Sequence, residues 1–107
     1  MDFRLSDENV EFQQKCRRFA TEVMRPIAAA HDREQTVPWE AMKAAREWRL
    51  QGLEFMQSTA QDDDGLMGVI YAEELHWGCA GIALAISASG LAAAGIASSG
   101  TPEQVGR

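Results

Sequence analysis

Residues 81–97 read GIALAISASGLAAAGIA, and this stretch decides the fold of the chain. No Asp, Glu, Lys or Arg occurs from Leu75 to Pro102, so a helix formed here is apolar on all sides. Such a helix is either buried in protein or spans a membrane. Most of its positions are Ala, Gly or Ser, and no Lys or Arg cluster flanks it, which favours burial. We therefore predict a helix central in a bundle, with no membrane span.

The first helix is predicted to begin near Ser6, a residue type that accepts hydrogen bonds from the free amides of a first turn. An apolar stripe at steps of three and four then continues to Pro26, where we expect a kink, or a break and a final turn through Ala30. A loop should cover residues 31–37. The stripe consists of Phe12, Cys16, Phe19, Val23 and Ile27.

A second helix is predicted from Pro38 to about Leu50, because proline suits the first helical position and Gly52 suits a stop. Residues 53–65 show no periodic pattern and are predicted to be irregular. Their acidic run, residues 62–64, lacks the alternating oxygens and terminal glutamate of a calcium loop, so we favour a solvated turn with Asp64 capping the next helix.

The third helix is predicted from Leu66 to Trp77, with Glu73 and Glu74 either exposed to solvent or paired with a base. Glu73 and His76 form a Glu-x-x-His unit of the kind found in di-iron bundles. Those sites need two such units, and this chain has one, so an exposed or hydrogen-bonded His76 is favoured over a metal ligand.

Thr101 resembles an N-cap with Pro102 at the first helical position, so another helix starts there. The chain ends at Arg107, after about one and a half turns of that helix. Since such a short helix is marginal by itself, we expect that the chain has been cut from a longer protein.

The composition limits the classes of protein to which the chain can belong. The 107 residues suffice for one helical domain, 1–107, and the net charge of −6 disfavours nucleic acid as a partner. The two cysteines, Cys16 and Cys79, are predicted to be reduced and partly buried, as in a cytosolic protein. Charges near residue 2 interrupt any secretory signal. These features together indicate a cytoplasmic protein.

Several short motifs follow one another along the chain. They are Pro26 with Asp32-Arg33, Gly52-Leu53, Glu73-Glu74-Leu75, Trp77-Gly78-Cys79-Ala80-Gly81 and Gly100-Thr101-Pro102-Glu103-Gln104. Their order and spacing resemble the N-terminal helical domain of the acyl-CoA dehydrogenases. The family's usual Pro-Glu-x-Tyr-Gly-Gly segment is missing between the second and third helices, so the resemblance implies the reaction but leaves the acyl group open.

The resemblance implies a flavoenzyme that carries out α,β-dehydrogenation of an acyl-CoA thioester with FAD as cofactor. In such enzymes the catalytic base, most flavin contacts, a β-rich middle domain and a C-terminal helical domain all lie beyond the equivalent of Arg107. We therefore assign no catalytic residue. The expected partners are the acyl-CoA substrate, the remaining domains of the enzyme, and other subunits in a homo- or hetero-oligomer.

Within the family, the helix that starts at Gly81 lines the acyl-chain cavity. By match to that stretch, Ala83, Leu84, Ser87 and Leu91 are the expected acyl contacts, with ordinary helix packing as the alternative. An alternative from another class is a stand-alone helical interaction module that buries its Ala/Gly-rich helix against a partner chain.

Overall fold

The computed structural model describes residues 2–106, and these residues form helices without any strand. The prediction of an all-α helical bundle is confirmed, although the chain divides into more segments than the four or so predicted. The segments are α1 (Asp7–Phe19), a π segment (Ala20–Met24), α2 (Arg25–Glu34), α3 (Trp39–Glu47), α4 (Leu53–Ala60), α5 (Leu66–Gly78), α6 (Ala80–Ser87), α7 (Ser89–Ser99) and α8 (Pro102–Val105).

The first helical run begins as predicted, because the Ser6 hydroxyl accepts a hydrogen bond from the Asn9 amide. The prediction of a loop from residue 31 is wrong, since α2 continues to Glu34 and ends where Gln35 takes a left-handed conformation. The π segment ends two residues before Pro26, and helical backbone continues from Met24 through Arg25 into α2. Proline lacks an N–H, and it follows the wider π turn here without ending the helical run.

The second helix is shorter than predicted and ends at Glu47. Arg49 adopts a left-handed conformation (φ 57°), and the amide of the buried Leu50 donates to the Ala45 carbonyl. This closes the helix as a Schellman motif, a role for which glycine is the usual residue. Gly52, predicted to stop α3, instead has a φ of 111° and precedes α4.

Helix α4 was not predicted, because residues 53–60 carry too few apolar residues to show a period. The helix after it does match the prediction, starting at Leu66 and ending at Gly78. Asp62, not Asp64, supports the start of α5 by accepting a hydrogen bond from the Met67 amide at 2.7 Å. Thr101 and Gln104 form the reciprocal capping box that opens α8, which confirms the predicted N-cap.

The core lies where α1, the π segment, α3, α5 and α6 meet. Helix α6 contributes the buried side chains of Ile82, Ala83 and Ile86, whereas α7 contributes none. The predicted central position is therefore right for one face of α6 and wrong for α7 within this chain.

The run Ala80–Ser99 is long and apolar enough to cross a membrane. One such helix is weak support for a span, and the absence of a span stays a prediction.

Charge is divided unevenly along the described helices. All lysines and arginines of residues 2–106 lie at or before Arg49, so α4 to α8 contain no lysine or arginine, and His76 is their one histidine. Any lysine or arginine that contacts the second half of the described chain therefore comes from α1, α2, α3 or their flanking turns.

Candidate functional site

The four expected acyl-contact residues do not converge on one pocket. Ala83 is only 1% exposed and belongs to the core, whereas Leu84 and Leu91 are 58% and 80% exposed on the outer side of α6 and α7. Ser87 lies on the same helical run, at the edge of a groove. Leu84, Ser87 and Leu91 follow the three-to-four-residue spacing of one helix face. The predicted set thus consists of one packing residue and a solvent-facing strip.

The groove beside Ser87 has a volume of about 390 Å³, within the range of small-molecule sites. Helices α3, α4, α5, α6 and α7 or their flanking turns all contribute to its lining. Apolar side chains make up much of the lining, and Arg46 is its only charged residue. The other lining residues are Leu50, Gln51, Gly52, Leu53, Phe55, Met56, Tyr71, Ile86, Ser87, Ser89, Gly90 and Ala93.

The polar end of the groove is held by a short hydrogen-bond chain. The Gln51 side-chain amide donates to the Ile86 carbonyl at 2.6 Å, and its Oε1 accepts from Arg46 Nε at 3.4 Å. Gln51 thereby ties the turn after α3 to the last turn of α6. This contact places a guanidinium next to an otherwise uncharged groove.

The Ser87 hydroxyl contributes little polarity to the groove. Its Oγ donates to the Ala83 carbonyl at 2.9 Å, so its only proton is already used inside the helix. What remains toward the groove is a small side chain whose oxygen can only accept. The Ser87 side chain therefore affects the width of the groove more than the polarity of the groove wall.

An aromatic pair in the groove wall escaped prediction. The Phe55 and Tyr71 rings lie 4.8 Å apart, and both residues line the groove. Phe55 was missed because its helix, α4, has no clear period. The apolar pair Phe55-Met56 shortly after Gly52 is the one local signal that points to it.

Helix α5 is aligned on α1 by a buried carboxylate. Glu74 is 4% exposed and pairs with Arg17 Nε, while Gln13 Nε2 donates to its other oxygen at 3.3 Å. Trp77 lies between two guanidinium groups, with Arg17 3.7 Å and Arg25 3.5 Å from its ring centre. The sequence predicted that Glu73 and Glu74 are either exposed to solvent or paired with a base. In the structure Glu74 is paired with a base and Glu73 is exposed.

A second cavity, of about 460 Å³, lies between the end of α2 and the start of α6. His31 lines it and has its ring nitrogens 2.7 Å from Thr36 Oγ1 and 2.7 Å from Glu40 Oε1. The hydrogen bond with His31 lowers the pKa of Glu40. Both ring nitrogens of His31 are therefore occupied in joining α2 to α3, and neither is open toward the cavity.

The thiols and possible metal ligands do not assemble into a reactive centre in the described chain. Cys16 and Cys79 are not paired with each other, with Cys16 buried and Cys79 partly exposed, and their reduced state stays a prediction. His76 Nδ1 lies 2.8 Å from the Ala72 carbonyl of its own helix. Residues 2–106 contain no group of three or more His, Cys, Asp or Glu side chains placed to hold a metal ion.

One buried and one partly buried acid titrate far above neutrality. Burial raises the pKa of Cys16 from its ordinary 9.0 to about 12, and burial likewise raises the pKa of Tyr71 from 10.0 to about 12. A group whose folded pKa is raised stabilises the fold below its unfolded pKa and loses that contribution as pH rises through the folded value. Stability should therefore fall between pH 9 and 12, by up to about 1.4 kcal/mol per pH unit for the buried Cys16 and by less for the partly exposed Tyr71.

Urea unfolding at half-unit steps from pH 8 to 12 measures this fall, with Cys16→Ala as the matched variant. Removing the thiol should delay the onset from about pH 9 to about pH 10, where the tyrosine begins to titrate in the unfolded chain. Identical pH profiles for the two proteins would contradict the assignment to Cys16.

Comparison with known proteins supplies a family. A family model described as "Acyl-CoA dehydrogenase, N-terminal domain" matches residues 6–107. The short-chain-specific acyl-CoA dehydrogenase of Clostridium acetobutylicum is 33% identical over 106 residues, which cover 97% of this chain and 28% of that protein. The 3-sulfinopropanoyl-CoA desulfinase of Paraburkholderia xenovorans is 43% identical over 51 residues, 48% of this chain and 13% of that protein. No solved structure gives a significant match.

Proposed function

Because the chain belongs to the acyl-CoA dehydrogenase family through its N-terminal domain, we propose that it is the N-terminal helical part of a flavin-dependent oxidoreductase. The proposed reaction is α,β-dehydrogenation of an acyl-CoA thioester, with this domain forming one wall of the acyl pocket. Both named relatives are described by their action on CoA thioesters. The chain spans less than a third of either relative's length, so the reaction belongs to the proposal for the whole protein.

The observation that carries the proposal is the apolar groove beside Ser87. An acyl chain needs an apolar wall. A buried polar group that already has a hydrogen-bond partner does not need a water molecule in the groove. No buried side-chain nitrogen or oxygen of the described residues lacks a hydrogen-bond partner. The groove is therefore suited to a hydrocarbon segment more than to a polar metabolite.

The described residues do not fit a flavin by themselves. The groove offers one cation and no cluster of donors for a diphosphate, and residues 2–106 leave no buried polar side chain awaiting a ligand. FAD contacts and the catalytic base are accordingly assigned to a middle β-domain and a C-terminal helical domain outside this chain. We place the whole protein in the cytoplasm, as a homo- or hetero-oligomer.

The proposed reaction is tested with the full-length protein. We expect it to purify yellow and to reduce an artificial electron acceptor when given saturated acyl-CoA thioesters, with the 2-enoyl thioester as product. A colourless protein that neither binds added FAD nor oxidises any acyl-CoA from four to sixteen carbons would refute the proposal.

Ser87→Phe is expected to shift the preferred acyl length to shorter chains, because the ring would fill part of the groove. The optimum should move by two or more carbons while activity on the shortest thioester stays near normal, as judged from kcat/KM across the acyl series. Ala97→Phe on α7 is the matched control, since Ala97 is exposed and does not line the groove. Equal profiles for the two variants would exclude Ser87 from the pocket wall. Ala83→Trp is not a suitable test, because Ala83 is buried in the core.

The alternative from another class is a helical interaction module. The exposed apolar side chains of α7, Leu91 at 80% and Ile96 at 47%, favour it, because an exposed apolar face tends to associate. In that case the full-length protein would bind no flavin, and light scattering would show a complex that Leu91→Asp dissociates. Retained flavin and turnover in Leu91→Asp would instead favour the enzyme.

A further inference from the structure

The groove is asymmetric in charge. Arg46 is its only charged lining residue, and no lysine or arginine of the described chain follows Arg49. Among residues 2–106, Arg46 has no carboxylate within ion-pair distance, whereas Lys43 on the same helix pairs with Glu47. The described chain thus leaves the groove's single cation unneutralised.

The guanidinium is also anchored in position. Its Nε donates to Gln51 Oε1, and Gln51 is itself tied to the backbone of α6. This hydrogen bond leaves both terminal nitrogens available, and these are the atoms that bind a planar carboxylate or a similar oxyanion in a two-point geometry. The Arg46–Gln51 contact is exposed and 3.4 Å long, and it fixes one edge of the guanidinium at the mouth of the groove.

From this geometry we propose that the groove selects an acyl group whose far end carries an anion, such as a carboxylate or sulfinate, bound by Arg46. The inference rests on the proposed function and deepens it by naming the substrate class. The apolar wall receives the hydrocarbon segment, and the guanidinium receives the charged end. A neutral acyl chain of equal length gains nothing from Arg46.

The test compares two six-carbon thioesters, adipoyl-CoA and hexanoyl-CoA, with the full-length protein. The wild type should favour adipoyl-CoA by about tenfold in kcat/KM. Arg46→Gln should remove that preference by lowering the adipoyl value alone. Arg46→Lys should keep part of it, because it retains the charge without the two-point geometry. Lys43→Gln, which removes a charge from the same helix outside the groove, should change nothing.

Two outcomes would overturn the inference. A preference for hexanoyl-CoA in the wild type would exclude an anionic acyl end. An equal loss on both thioesters in Arg46→Gln would assign Arg46 to the phosphates of CoA or to packing. Equilibrium dialysis of the same two thioesters separates this inference from the proposed reaction, because the ratio of the two affinities reports on Arg46 even if neither thioester is oxidised.

Discussion

Arg17→Met should lower the free energy of unfolding by about 2–3 kcal/mol. The substitution keeps an unbranched side chain against Trp77 but leaves Glu74 as a buried carboxylate without its cation. Removing one partner of a buried ion pair costs about 3–5 kcal/mol. We reduce that figure because the Arg17 side chain is 46% exposed and water can partly replace it. Urea unfolding at neutral pH measures the loss.

The neighbouring Arg18→Met provides the matched control. Arg18 lies 5.9 Å from the Trp48 ring and forms no ion pair within the described chain, so its loss should cost less than about 1 kcal/mol. Combining Arg17→Met with Glu74→Leu should recover most of the stability, because no buried charge then remains. Equal effects of the two arginine substitutions, or a double variant as unstable as Arg17→Met, would show that burial of Glu74 is not the cause.

Gly78→Ala is expected to destabilise the fold by about 1–3 kcal/mol, the usual cost of forcing an extra carbon into a packed site. A Cβ at Gly78 would lie 2.8 Å from the Ala20 Cβ and 3.2 Å from the Ala20 Cα, a backbone atom that cannot move aside easily. Glycine here permits α5 to approach the π segment closely. Thermal and urea unfolding of the variant both report the effect.

Gly68→Ala in the same helix is the control with identical chemistry. Nothing lies within 4 Å of a Cβ at Gly68, so the change should stabilise the fold by up to about 1 kcal/mol through helix propensity. Adding Ala20→Gly to Gly78→Ala should restore part of the lost stability by removing the opposing carbon. If Gly78→Ala were as stable as Gly68→Ala, the close approach would be refuted.

The helices that the sequence predicted well are those with a local signal. Ser6 and Thr101 are N-caps whose hydrogen bonds stay within their own first turn, and α5 starts and ends beside glycines. These features depend on residues three or four positions apart. Local chemistry is sufficient to place them.

The missed features depend on distant parts of the chain. Arg49 takes a left-handed conformation that usually selects glycine, and it does so next to Leu50, which is buried among other helices. Helix α4 lacks a period of its own, and Phe55 on it packs between Phe12 and Tyr71. Tertiary contacts override weak local preference in both places.

The groove shows the same difference between features that local sequence predicts and features that depend on distant contacts. Resemblance to the family identified Ser87 as a candidate. Arg46, Gln51 and Tyr71 come from other segments, and no sequence pattern identifies them as groove residues. The burial of Ala83 in the core was not visible in the sequence, because helical spacing alone does not tell which face of α6 meets the core. Only the packed helices bring these residues together.

The distance along the chain between Arg17 and Glu74 has a consequence for the rate of folding. The two residues are separated by 57 positions, so pairing α1 with α5 closes a long loop at an entropic cost. Residues 2–49 carry nine Lys or Arg side chains and nine Asp or Glu side chains, so this half has no net charge that would draw the acidic half toward it. Loop closure, and not charge attraction, should therefore limit the rate of refolding, and added salt should change that rate only slightly.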